Sequence, residues 1–96
     1  MALQAFEESL RDERPPAGIG PALQALWQEA KGDWDAAHAL AQAEDDASGA
    51  WVHVYLHRVE GDLANAGYWY RRAGRPVCEA PLREEWSAIV RALLAG

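Results

Sequence analysis

The sequence has a single cysteine, a single methionine and a single phenylalanine, and no apolar run in it approaches the roughly 20 residues of a membrane-spanning helix. Each shortage excludes something. Cys78 alone cannot close an internal disulfide, so the fold must be held by packing. Nine Lys and Arg against fifteen Asp and Glu give a net charge of −6, too little positive charge to displace counterions along a phosphate backbone, which argues against nucleic-acid binding. There is no paired-cysteine zinc motif, no nucleophile elbow and no glycine-rich phosphate loop. Gly18-Ile19-Gly20-Pro21 is too short for such a loop, and its proline removes an N–H that a phosphate needs. The turn Glu44-Asp45-Asp46 lacks the alternating oxygen ligands and central glycine of a calcium loop. No residue is assigned a catalytic role. The first residues have no basic region followed by an apolar stretch, and with the unpaired cysteine this gives the expectation of a cytoplasmic protein with no membrane partner.

What is present is globular: half the 96 residues are apolar and a quarter charged, enough for one domain with its own core. The charge is uneven. Residues 1–50 hold ten acidic side chains against three basic ones, and residues 51–96 five against six, an asymmetry able to orient a partner or a second copy of the chain.

Leu3, Phe6 and Leu10 share one helical face, predicting a short amphipathic helix over 3–13 that Pro15-Pro16 ends. Residues 15–20 read as a linker, which makes residues 1–14 a loosely attached element of a single domain spanning 1–96. Pro21 opens the next helix with Leu23, Leu26, Trp27 and Ala30 as its stripe. Then a phrase occurs twice: Gly32-Asp33-Trp34-Asp35-Ala36-Ala37 and Gly61-Asp62-Leu63-Ala64-Asn65-Ala66. Glycine reverses the chain, aspartate caps the following helix, and the alanine four positions on lets two helices approach. The first copy opens a helix of small residues that runs out at the solvated turn 44–49. A helix near 50–60 follows, with Trp51, Val52, Tyr55, Leu56 and Val59 on a broad face. The second copy opens a helix whose buried stripe is Leu63, Ala66, Tyr70 and Ala73, and Pro81 opens the last one, with Leu82, Trp86, Ile89, Val90 and Leu93. The last five helices carry one tryptophan each, a regularity that predicts indoles filling the space between layers.

From Gly61 to Ala73 the sequence resembles the second helix of tetratricopeptide and Sel1-like repeats: Leu63, Ala66, Tyr70 and Ala73 occupy the characteristic places, within the string Tyr68-Trp69-Tyr70-Arg71-Arg72-Ala73. The first copy matches at Trp34 and Ala37 but has Ala41 where an aromatic belongs, and the 29-residue spacing from Gly32 to Gly61 is shorter than the roughly 34 of a standard repeat. The phrase from Trp51 to Pro76 is also similar to one in a group of small bacterial proteins with no assigned activity, which implies a related fold and nothing more. The tetratricopeptide resemblance implies stacked hairpins that bind a protein or peptide on a helical face.

Two constellations carry chemistry. His53 and His57 are four residues apart with Glu60 three later, so on a helix they project within one sector. Imidazoles so spaced bind Zn²⁺ or another transition metal, with Glu60 or His38 completing the shell. Val54 stands where a helical zinc protease has its base, so metal-assisted hydrolysis has no visible base. Arg58, Arg71, Arg72 and Arg75 make the one basic concentration, interleaved with Tyr68 and Trp69, and Asn65, Tyr68, Trp69 and Arg72 lie opposite Leu63 and Ala66, so an acidic peptide, phosphate or carboxylate has guanidinium partners and an indole platform there.

The expectation is an all-α domain of about six short helices in stacked antiparallel hairpins. Its leading functional reading is a non-enzymatic protein or peptide interaction module without cofactor, with a surface of His53, His57, Glu60, Asn65, Tyr68, Trp69, Arg72 and Arg75 and a tendency to homo-oligomerise. The alternative is a metal-binding protein or small metal-dependent enzyme using His53, His57, Glu60 and His38.

Overall fold

A computed structural model describes residues 1–96, and every regular element in it is helical. The elements are α1 (Leu3–Glu8, continued by a 3₁₀ turn over Ser9–Arg11), α2 (Pro21–Ala30), α3 (Trp34–Ala43), α4 (Ala47–Val59), α5 (Leu63–Arg72) and α6 (Leu82–Ala95). α2 packs on α3, α3 on α4 and α4 on α5, and α6 returns to close over α1, α2 and α4. No helix is long and apolar enough to cross a membrane.

The two Gly-Asp phrases build the same reversal. Gly32 and Gly61 sit at φ of 91° and 87°, in the left-handed region that costs a side chain about 1–2 kcal/mol. Each closes its helix in the same way: the glycine N–H donates to Glu29 or Arg58, and the following aspartate N–H to Gln28 or His57. The Asp33 and Asp62 carboxylates then accept from the N–H groups of Ala36 (3.1 Å) and Asn65 (3.4 Å), capping α3 and α5. Ala37 and Ala66, four residues past each aspartate, are buried at the contacts these reversals create.

The main core gathers Phe6, Leu23, Leu26, Trp27, Val52, Leu56, Trp86, Ile89 and Val90; a smaller one joins Val54, Ala66 and Tyr70 between α4 and α5. Four expectations need correcting. The linker does not leave α1 loose: Phe6 is fully buried 5.8 Å from Trp86, Trp27 Nε1 donates to Ser9 Oγ, and Lys31 Nζ donates to the carbonyls of Leu10 and Asp12. Leu63 is not part of a buried stripe but 70% exposed, at the rim of a cavity it shares with Val77 and Cys78, while Ala66 and Tyr70 make the buried contact with α4. The turn after α3 is shorter than 44–49, since Asp46 accepts from the Gly49 N–H and so starts α4 at Ala47. Gly49 is there for proximity: a Cβ on it would run into the Glu44 carbonyl. Finally, the indoles do not share one task. Trp27 and Trp86 are core, Trp51 lies half-buried beneath Arg75, and Trp34 and Trp69 flank histidines.

Candidate metal centre

α3 packs against α4, and the small side chains of Ala37 and Ala41 on α3 are both buried. That packing brings His38, on α3, against His53 and His57, one turn apart on α4. The Nε2 atoms of His38 and His53 are 3.0 Å apart, those of His57 and His53 3.1 Å, and the three side chains offer ligand atoms all within 4.8 Å of one another. A tetrahedral ion held about 2.0–2.1 Å from each nitrogen needs N···N separations of roughly 3.3 Å. Two edges of the triangle are already near that.

The rings are held from both sides. Trp34, one turn before His38, stacks on it at 4.8 Å and 16° while its Nε1 donates to the Leu56 carbonyl. Trp69 of α5 lies 4.7 Å from His53 and parallel to His57 at 6.2 Å. Burial first, then the neighbouring His57 and His38, push the His53 imidazole down from its ordinary 6.5 to about 4. At neutral pH His53 is therefore uncharged, the form in which imidazole binds metal.

Hydrogen-bond accounting does not close on protons alone. A neutral imidazole has one N–H and one lone pair, so His53 Nε2 offers a single proton or a single lone pair to two neighbours at about 3 Å. His57 Nδ1 is the one buried side-chain polar atom of the protein without a hydrogen-bond partner. It lies 3.9 Å from Asp62 Oδ2, and if its proton is on Nε2 a bare lone pair faces a carboxylate. Such an orphan costs about 1–3 kcal/mol. A cation at the focus of the three Nε2 atoms would resolve the first fault and fix the tautomer that turns the His57 N–H toward Asp62. All three lone pairs then point at it, the protons sit on Nδ1, and His57 Nδ1–H faces Asp62, the usual carboxylate support of a metal-bound histidine. The residues present fit a transition metal.

Of the other residues singled out in the sequence, Glu60 is exposed at the C-terminal end of α4 and does not join the trio. Asn65 Nδ2 donates to Asp62 Oδ2 at 2.7 Å, holding that carboxylate beside His57. Arg72 lies 5.3 Å over Trp69, with its Nη1 3.5 Å from the exposed Tyr68 hydroxyl. Arg75 lies elsewhere, 3.3 Å over Trp51, lining a 400 Å³ cavity between α4, α5 and α6. His53, Trp69 and Arg72 share a second cavity, of about 250 Å³, so the surface expected from the sequence divides in two.

From the sequence Trp34 has only a packing role and Asp62 only a capping one, yet the Gly-Asp reversal ties the Asp62 N–H to the His57 carbonyl and so brings its carboxylate over that ring. Sequence reasoning also missed a buried network. Glu85 of α6, 4% exposed, pairs with Arg58 Nη1 at 2.9 Å and accepts from the Tyr70 hydroxyl at 2.6 and 2.7 Å, while Arg58 also donates to the Ala80 carbonyl. Burial first, then the hydrogen bond to Glu85, push the Tyr70 phenol well above its ordinary range. The one available signal was an acidic residue, Glu85, one place before the buried stripe of α6. No known protein family, curated protein or solved structure matches this chain.

Proposed function

We propose that this chain is a metal-binding protein whose centre is the His38, His53 and His57 trio, with Zn²⁺ or another imidazole-preferring transition metal as its ion. The observation that carries the reading is the convergence of three Nε2 atoms beside a buried, unpartnered His57 Nδ1 that faces a carboxylate. Local charge supports it as well. Asp62 on one side and Glu44, Asp45 and Asp46 on the other outnumber Arg72, so the surroundings of three neutral ligands attract a cation.

Calorimetric titration of metal-stripped, tag-free protein with Zn²⁺ tests it. One ion per chain is expected, with uptake lost on His53→Ala. A ligand at 100 times its dissociation constant raises unfolding free energy by about 2.7 kcal/mol, so a matching rise in melting temperature should accompany binding. Absence of saturable uptake, or equal uptake by His53→Ala, contradicts the reading.

A second reading, docking of a protein or peptide, draws support from large apolar side chains left in solvent: Leu63 at 70%, Val77 at 57% and Tyr68 at 46% exposure, with Arg71 and Arg72 alongside. Leu63→Glu is its test. Loss of a partner recovered by the parent protein supports it, and unchanged recovery counts against it.

A further inference from the structure

The trio supplies three ligands, and no other His, Cys, Asp or Glu donor joins the group. Asp62 stands on the Nδ1 side of His57, away from the point where the three Nε2 atoms meet, and hydrogen bonds from the Asn65 side chain and backbone occupy it. A tetrahedral ion held here has one position that the protein does not fill, the arrangement of a reactive or ligand-binding centre rather than a closed structural one. The trio borders the 250 Å³ cavity through His53. Its lining includes Glu44, Asp45 and Asp46 from the turn between α3 and α4, and Trp69 and Arg72 from α5.

We propose that the fourth position of the metal is open to this cavity and takes a small neutral nitrogen base, of the size and chemistry of imidazole, in exchange for water. This inference rests on the three-histidine reading above. The choice of ligand class follows from charge. Three carboxylates against one guanidinium line the cavity, an excess of two negative charges that offsets a divalent ion on three neutral imidazoles, so an incoming anion gains little of the attraction a bare ion would give it while a neutral donor loses nothing. The volume admits one small ring or a few waters, and Trp69 gives such a ring an apolar wall. Of the three carboxylates only Asp46 has a structural task, capping α4 through the Gly49 N–H. Glu44 and Asp45 can therefore be neutralised without unseating the helix.

The test uses the Co²⁺-loaded protein, whose visible absorption reports the ligands on the ion. Imidazole and, separately, azide are titrated into the parent protein and into the Glu44→Gln/Asp45→Asn double variant, with cobalt content measured after gel filtration at each end point. The expected result is a saturable imidazole-induced change with cobalt retained. Azide affinity should rise by roughly threefold per carboxylate removed in the variant, with imidazole affinity unmoved. A cobalt spectrum that neither ligand alters overturns the open position. An azide-to-imidazole ratio that is the same in both proteins overturns the charge selection. Failure to take up Co²⁺ overturns the three-histidine centre itself, and this inference with it.

Discussion

His57 and Arg58 are consecutive residues of α4, yet they enter two polar clusters built on opposite terms. Around Arg58 every strong group finds its complement: one guanidinium, one carboxylate, one phenol and one carbonyl, joined by charge-assisted hydrogen bonds in a nearly dry space. Around His57 three rings of one kind meet nitrogen to nitrogen, and a buried ring atom has nothing to bond. The first cluster is complete as folded and ties α6 to α4 and α5. In the second, donors and acceptors do not balance. Polar groups in a protein interior are thus a structural joint where their donors and acceptors balance, and a candidate for binding where they do not.

Breaking each cluster should separate the two. Glu85→Ala leaves the Arg58 charge and the Tyr70 hydroxyl without their shared partner, and its cost is expected at about 3–5 kcal/mol in urea unfolding of the metal-free protein. His53→Ala should cost only about 1 kcal/mol in the same measurement, the ordinary price of trimming a half-buried side chain, while abolishing metal uptake. Equal losses from the two changes would erase the distinction.

Gly49→Ala tests the backbone that sets the α3 to α4 approach. Its methyl would run into the Glu44 carbonyl, so about 1–3 kcal/mol of stability should go, together with part of the metal affinity as His38 is displaced from His53. Asp62→Asn sharpens the comparison further. Asparagine caps a helix as well as aspartate does, so unfolding should hardly change, whereas loss of the carboxylate beside His57 Nδ1 should weaken metal binding about 10–100-fold.

The remaining effect is on pH. His53 in the folded chain takes a proton only near pH 4, while the ordinary imidazole of the unfolded chain takes one near 6.5, so between these values the unfolded state binds more protons. Stability of the metal-free protein should hold above about pH 6.5 and fall as the solution is acidified toward 4. Urea midpoints at pH 7 and 4.5 should show a smaller drop for His53→Gln than for the parent.

The sequence spoke most clearly where chemistry is local. Gly32-Asp33 and Gly61-Asp62 announce their reversals because a left-handed glycine and a capping aspartate act within a few residues, and the four-residue spacing of His53 and His57 puts them on one side of a helix wherever that helix lies. Long-range meetings were less legible. His38 was named as a partner, but its preference over Glu60 depends on two buried alanines of α3. Arg58 and Glu85 are 27 positions apart, and nothing local pairs them until α6 folds back over α4. The seat of Phe6 depends likewise on Trp86, at the far end of the chain.

The most direct test is nitrogen NMR of the three imidazoles in ¹⁵N-labelled protein, before and after one equivalent of Zn²⁺. The expected result is that all three Nε2 signals move to the metal-bound range and His57 Nδ1 carries a proton toward Asp62. Nε2 signals that stay where they were, at a Zn²⁺ concentration that saturates the protein, would contradict a metal centre built from His38, His53 and His57.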